Sequence, residues 1–274
     1  MGGIYAAMAV GFTLVWGVMK VINLAHCAIG VFSAYVAYWL LVYYGIDPLL
    51  SLVLTVPLLF VIGLLIHEFL IKRIVKARDI ALTSMVLMFG LSILVENLLL
   101  YFWGPSPRLV TTAHTGKSLF LDGIAFPIPS LIGFGISITL LTIIYIFLHG
   151  TYVGKAVRAT WQDREGAALM GINLDRVSMI TFGLATASVG AGGVCMTFMY
   201  SFYPSLHAIW LIFMFLVVIV GGVGSVIGVA AGGLILGLFI GVSAVFVPFA
   251  WVNVVVFLSL ILILLIKPTG LFRR

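Results

Sequence analysis

The chain has 274 residues, of which 64% are hydrophobic and 8% charged, with a mean hydropathy of +1.31. A water-soluble domain of that composition would expose large apolar patches, so a soluble globular fold is excluded and the bilayer is the solvent. The formal charge of +6 falls in short connections between apolar runs, where it reads as orientation signal and contact with lipid headgroups rather than as a nucleic-acid surface.

A membrane-spanning helix needs about 20 mostly apolar residues. Apolar runs place candidate spans near residues 4–19, 28–44, 48–71, 80–103, 130–149, 177–200, 209–222, 226–247 and 251–266. The expected fold is all-α: one polytopic integral membrane helical bundle over residues 1–274, with about eight or nine transmembrane segments. No secretory signal with a small-residue cleavage site stands out at the start, and the first run reads as a mature span. Cys27 and Cys195 lie in or beside apolar stretches and suggest neither a disulfide framework nor a metal site.

After the first run, Lys20, Asn23 and His26 interrupt apolar sequence. Polar groups at membrane depth need partners or a water-filled cavity. Two readings follow: Asn23 and His26 cap a helix break near a transport path or gate, or they sit at the cytoplasmic interface and tie two helices together.

The third run ends in His67-Glu68. The sequence HEFLI lacks the second histidine, four residues on, that a zinc-protease helix requires. Lys72, Arg73, Lys76 and Arg78 then crowd one short loop, and Lys155, Arg158, Arg164 and Arg176 crowd a later one, so both are expected on the cytoplasmic side. Lys267, Arg273 and Arg274 put the C-terminus there too, while loop 104–129, with Arg108 and Lys117, falls outside. Nine spans place the N-terminus outside. If the short run 209–222 is re-entrant, the count is eight and the N-terminus moves to the cytoplasm.

Within the fourth run, Glu96 and Asn97 lie about 10 Å below the helix end at Trp103. A carboxylate at the bilayer centre costs about 2.5 to 3.5 kcal/mol on insertion scales. Such a group calls for a partner, either an amino-acid ammonium group or donors on another helix.

Residues 150–176, GTYVGKAVRATWQDREGAALMGINLDR, are too polar to span. An acidic start at Glu165, small helix formers Ala167 and Ala168 and a stop at Gly171 predict a short surface helix and a turn, with Leu169, Met170 and Ile172 as an apolar knob. A motor subunit could grip such a helix, or it could lie on the headgroups.

Farther on, Gly221-Gly222-Val223-Gly224-Ser225 lacks the Gly-Lys-Ser/Thr of a phosphate-binding loop, so the chain is expected to bind no ATP itself. It reads either as a helix break offering backbone groups to an amino acid's charged ends or as a tight interhelical turn. Glycines cluster at Gly183, Gly190, Gly192 and Gly193, and again at Gly228, Gly232, Gly233, Gly237 and Gly241. They predict close backbone approach within the subunit or at a dimer face.

The stretch Glu165-Gly166-Ala167-Ala168, with Gly171 after it, resembles the coupling loop of ATP-binding-cassette (ABC) importer permeases, departing from Glu-Ala-Ala by one glycine. GFTLVWGVMKVINLAH at 11–26, IVGGVGSVIG at 219–228 and LLIKPTGLF at 264–272 resemble the branched-chain amino acid permease family of the LivH type. The chain then looks like the translocating subunit of an importer in the cytoplasmic membrane.

Arg158, Glu165, Ala167, Ala168, Gly171 and Ile172 would form the ATPase coupling loop. Asn23, His26, Glu96, Asn97, Gly221, Gly222, Gly224 and Ser225 are the candidate pathway residues. The resemblance implies no cofactor on this chain, ATP hydrolysis by partner ABC ATPase subunits, a second homologous permease, an extracytoplasmic solute-binding protein and surrounding membrane lipid. Related permeases share these motifs for other amino acids and for urea or short amides. An ion-coupled transporter using Glu96 is the reading from another class. An intramembrane enzyme would need convergent catalytic side chains, and the span interiors offer no acid other than Glu96.

Family members usually carry several more residues ahead of the stretch matching Gly3 to Gly11, which leaves the side of the N-terminus open.

Overall fold

The structure, a computed structural model, describes residues 1–75, 77–112, 115–121, 124–266 and Gly270. Lys76, Lys267, Arg273 and Arg274, on which part of the orientation argument rests, lie outside the described residues, as does most of the KPTGLF stretch.

In chain order the helices are α1 (Gly2–Met19), α2 (His26–Tyr44) and α3 (Pro48–Ile66), which continues through a π-helical turn (His67–Ile71) into α4 (Lys72–Ile74). After α5 (Ile80–Trp103), a β-hairpin pairs β1 (Ser118–Leu121) antiparallel with β2 (Ile124–Pro127). The rest of the chain forms α6 (Ile128–Gly150), α7 (Tyr152–Gln162), α8 (Arg164–Leu169), α9 (Leu174–Thr197), a 3-10 turn (Pro204–Leu206), α10 (His207–Gly221), α11 (Val226–Phe246) and α12 (Phe249–Ile266).

Among the described residues eight helices are long and apolar enough to cross a membrane, and α12 is a further apolar helix. The all-α expectation holds apart from the hairpin in loop 104–129, whose Ser-Leu-Phe-Leu and Ile-Ala-Phe-Pro runs are too short to stand out in sequence. The apolar run 209–222 understates its element. With the 3-10 turn it forms an 18-residue rod, Pro204–Gly221, long enough to cross.

Local chemistry sets where the helices start. Asp47, Asp79, Asn173 and Ser225 cap α3, α5, α9 and α11, each side-chain oxygen accepting a backbone amide of the first turn. The sequence places the start of α9 at residue 177; the Asn173 cap moves it back to Leu174.

α1 and α9 form the centre, each buried over nearly its whole length. Their approach is backbone to backbone. A Cβ on Gly11 of α1 would lie 2.6 Å from the Ala185 carbonyl oxygen of α9, and only small residues permit that spacing in a membrane. Most of the clustered glycines pack inside the chain: Gly190 faces Leu59, Gly192 faces Met8, Gly193 faces Gly30, and Gly233 and Gly237 face Gly2, whereas Gly241 is exposed and meets nothing within 4 Å. α3, α5, α6 and α11 surround this centre and keep much of their apolar surface exposed.

One end of the bundle is aromatic. Trp103, closing α5, stacks on Tyr35 of α2 with ring centroids 4.8 Å apart, and Phe202 meets Tyr35 edge-on. An antiparallel bridge between Arg108 and Phe202 pins the loop after α5 to this end. α7 and α8 lie at the opposite end.

Candidate functional site

The polar segment 150–176 folds as two helices. α7 turns Gly154, Ala156, Val157 and Thr160 inward. Asp163 ends α7 and caps α8, its carboxylate accepting the amides of Glu165 and Gly166 at 3.1 and 3.0 Å. Glu165 stands in the first turn, where a negative charge favours the helix dipole. Gly171, at φ 81°, terminates the element in a conformation that suits glycine.

Leu169 and Met170 are 88% and 84% exposed. Ile172, grouped with them as a knob in sequence, instead packs against the core. Ala167 is buried, while Glu165 and Ala168 are exposed. Arg158 lies away from this knob, in a cleft lined also by His149 and Gln162.

This element is tied to the bundle through Trp161. A Cβ on Gly17, at the end of α1, would lie 2.9 Å from the Trp161 ring, and one on Gly224 would run into the same ring. The indole is therefore wedged between the end of α1 and the turn joining α10 to α11. Arg164 adds a 3.5 Å contact to the Val18 carbonyl oxygen.

The turn Gly222–Ser225 is closed by Gly222 and Gly224 at φ 82° and 95°. The Gly224 amide donates to Thr13 Oγ1 of α1 at 2.7 Å, and Ser225 Oγ accepts the Gly228 amide. Gly221 packs directly on the Gly228 backbone. The arrangement is a tight interhelical turn whose Gly224 amide is already bonded to protein.

The other break lies within the bundle. His26 begins α2 and its Nε2 donates to the Met8 carbonyl oxygen at 3.0 Å. Met8 stands about 16 Å along α1 from Met19. Residues 20–25 therefore run back beside α1 without helical structure, and α2 starts inside the protein rather than at the bundle's end. Such backbone is tolerated at depth because protein surrounds it. Lys20 turns the chain at φ 57°, the Ile22 amide donates to Ser84 Oγ of α5, and Asn23 is fully buried with neither side-chain polar atom bonded.

Glu96 is paired with another helix. Its Oε2 lies 3.0 Å from His207 Nε2 at the head of α10, and Ser92 Oγ lies 3.5 Å from His207 Nδ1. Asn97 is exposed and bonds only its own helix, Nδ2 to the Ile93 carbonyl oxygen. Glu68 likewise pairs along its helix with Lys72 at 2.6 Å. The structure thus gathers Asn23 and His26 near α1, sets Gly221–Ser225 against Thr13 and Trp161, and leaves Glu96 and Asn97 apart on α5.

Sequence reading missed Thr13, Trp161, Asp163 and His207. Asp163, two residues before Glu165, carried a capping signal; His207 stood just ahead of its apolar run, where it read as loop.

The family profile described as branched-chain amino acid transport system / permease component matches residues 1–265. The chain belongs to this permease family. Among curated relatives, the high-affinity branched-chain amino acid transport system permease protein LivH of Salmonella typhimurium is 30% identical over 292 residues, spanning all of this chain and 92% of the relative. BraD of Pseudomonas aeruginosa, described in the same words, is 27% identical over 287 residues, with the same coverage. A probable LivH permease of Methanocaldococcus jannaschii is 28% identical over 84% of this chain and 74% of its own length. No solved structure matches. With eight helices among the described residues able to cross a bilayer, this family member is a multi-pass protein of the cell membrane, and its relatives are transport permeases.

Proposed function

We propose that the chain is one permease subunit of an ABC importer that moves branched-chain amino acids, or close relatives, across the cytoplasmic membrane. ATPase subunits would grip α8 from the cytoplasm, a second permease would complete the path, and an extracytoplasmic binding protein would deliver the solute. The carrying observation is Trp161, seated against both Gly17 and Gly224. Displacing the α7–α8 element presses on the end of α1 and on the α10–α11 turn together. The exposed Leu169 and Met170 give a partner an apolar grip, since large apolar side chains at an interface centre carry much of its binding.

A coupled ion in place of ATP is the competing reading, favoured by one observation: Glu96 and His207 form an ionisable pair within the spans.

Purification of the tagged chain from its native membrane in mild detergent separates the two. Recovery of ATP-binding subunits and a second permease is the expected result. A monomer or homodimer, in detergent that keeps a known importer intact, contradicts the proposal. Leucine uptake by the reconstituted complex should require ATP and survive collapse of the ion gradients.

A further inference from the structure

A cleft of about 550 Å³ opens where the ends of α6 and α7 meet the start of α11. Its polar lining is His149, Arg158, Gln162 and Ser225, with no carboxylate among the described lining residues. Arg158 has no hydrogen-bond or ion-pair partner among the described residues. His149 is oriented by its Nδ1 donating to the Tyr145 carbonyl oxygen at 2.9 Å. A guanidinium in a recess without an acid matches the geometry and charge of a phosphate group. The positive pole of the 21-residue α11, which starts at Val226 on the cleft wall, adds to the same field.

The mouth favours a lipid over a soluble anion. Tyr145 and Ile227 flank it, 39% and 64% exposed, on helices whose outward faces are apolar. Acyl chains lying along those faces would bring a headgroup to Arg158.

We propose that this cleft binds the phosphate headgroup of an anionic phospholipid from the leaflet on the α7–α8 side. Basic recesses at helix ends are where such headgroups are held. The assignment separates Arg158 from the α8 knob, and it is independent of what drives transport.

Native mass spectrometry of the purified chain, released from micelles containing phosphatidylglycerol and phosphatidylcholine, tests it. The unmodified protein should retain phosphatidylglycerol selectively. Arg158→Gln should lower that retention about tenfold, as losing one charge-assisted bond implies, while Arg158→Lys should keep most of it. A photoactivatable phosphatidylglycerol should label peptides within 145–162 and 224–227 of the unmodified chain, a readout that stands even if Arg158→Gln does not fold. Equal retention by the unmodified and Arg158→Gln proteins, no preference for the anionic lipid, or labelling confined to other helices overturns the proposal. Displacement of the lipid by millimolar inorganic phosphate would identify a soluble phosphate as the ligand and overturn it as well.

Discussion

The break between α10 and α11 and the break between α1 and α2 both interrupt helices against α1, yet they are satisfied differently. At Gly222–Ser225 two glycines take the positive φ angles, Thr13 receives the Gly224 amide and Ser225 caps the next helix. At residues 20–25 a lysine takes the positive φ, and Asn23 is buried with both polar atoms unbonded. The first turn is hydrogen-bonded within the protein and seats Trp161. The second holds a buried amide that finds no protein partner among the described residues.

Substitutions can break that contrast, the largest effect falling on the glycine turn. A Cβ on Gly221 meets the Gly228 backbone, with the Gly228 carbonyl carbon at 2.6 Å and the Val229 nitrogen at 2.8 Å, and no rotamer change relieves a backbone clash. Gly221→Val should therefore cost about 3 kcal/mol or more and abolish a monodisperse peak in size-exclusion chromatography.

Thr13→Val keeps the volume but strips the Gly224 amide of its acceptor, a loss of about 1–3 kcal/mol. It should lower the melting temperature measured in detergent. An unchanged value would mean the amide is satisfied otherwise.

Asn23→Leu should move the other way. Removing an unbonded buried amide should raise stability by about 1 kcal/mol, and a drop in melting temperature would show that Asn23 has a partner in the protein's resting state. If stability rises while uptake falls, the amide serves transport. The smallest effect is expected from Lys20→Gly, which relieves a left-handed residue worth about 1 kcal/mol and should shift the melting temperature slightly upward.

The spans were legible because each requires a long apolar run, and the runs at 80–103 and 226–247 coincide with α5 and α11 to within one residue. Depth was not legible. Nothing in the pattern of residues 20–26 says that α2 starts opposite Met8, since periodicity reports a helix face and not its height. The partner of Glu96 lay 111 residues away at His207, beyond any local signal. α7 went unseen because its polar and small residues resemble a loop until Trp161 is placed between Gly17 and Gly224. The stop at Gly171 was readable, since a glycine after Ala167 and Ala168 is how a short helix ends.

The most direct test of the central claim is leucine transported per ATP hydrolysed by the complete complex in proteoliposomes carrying Trp161→Ala. If force passes through this ring, ATP hydrolysis should persist while uptake per ATP falls about tenfold or more. Uptake per ATP equal to that of the unmodified complex, with the variant folded, would contradict the assignment of α7 and α8 as the coupling element.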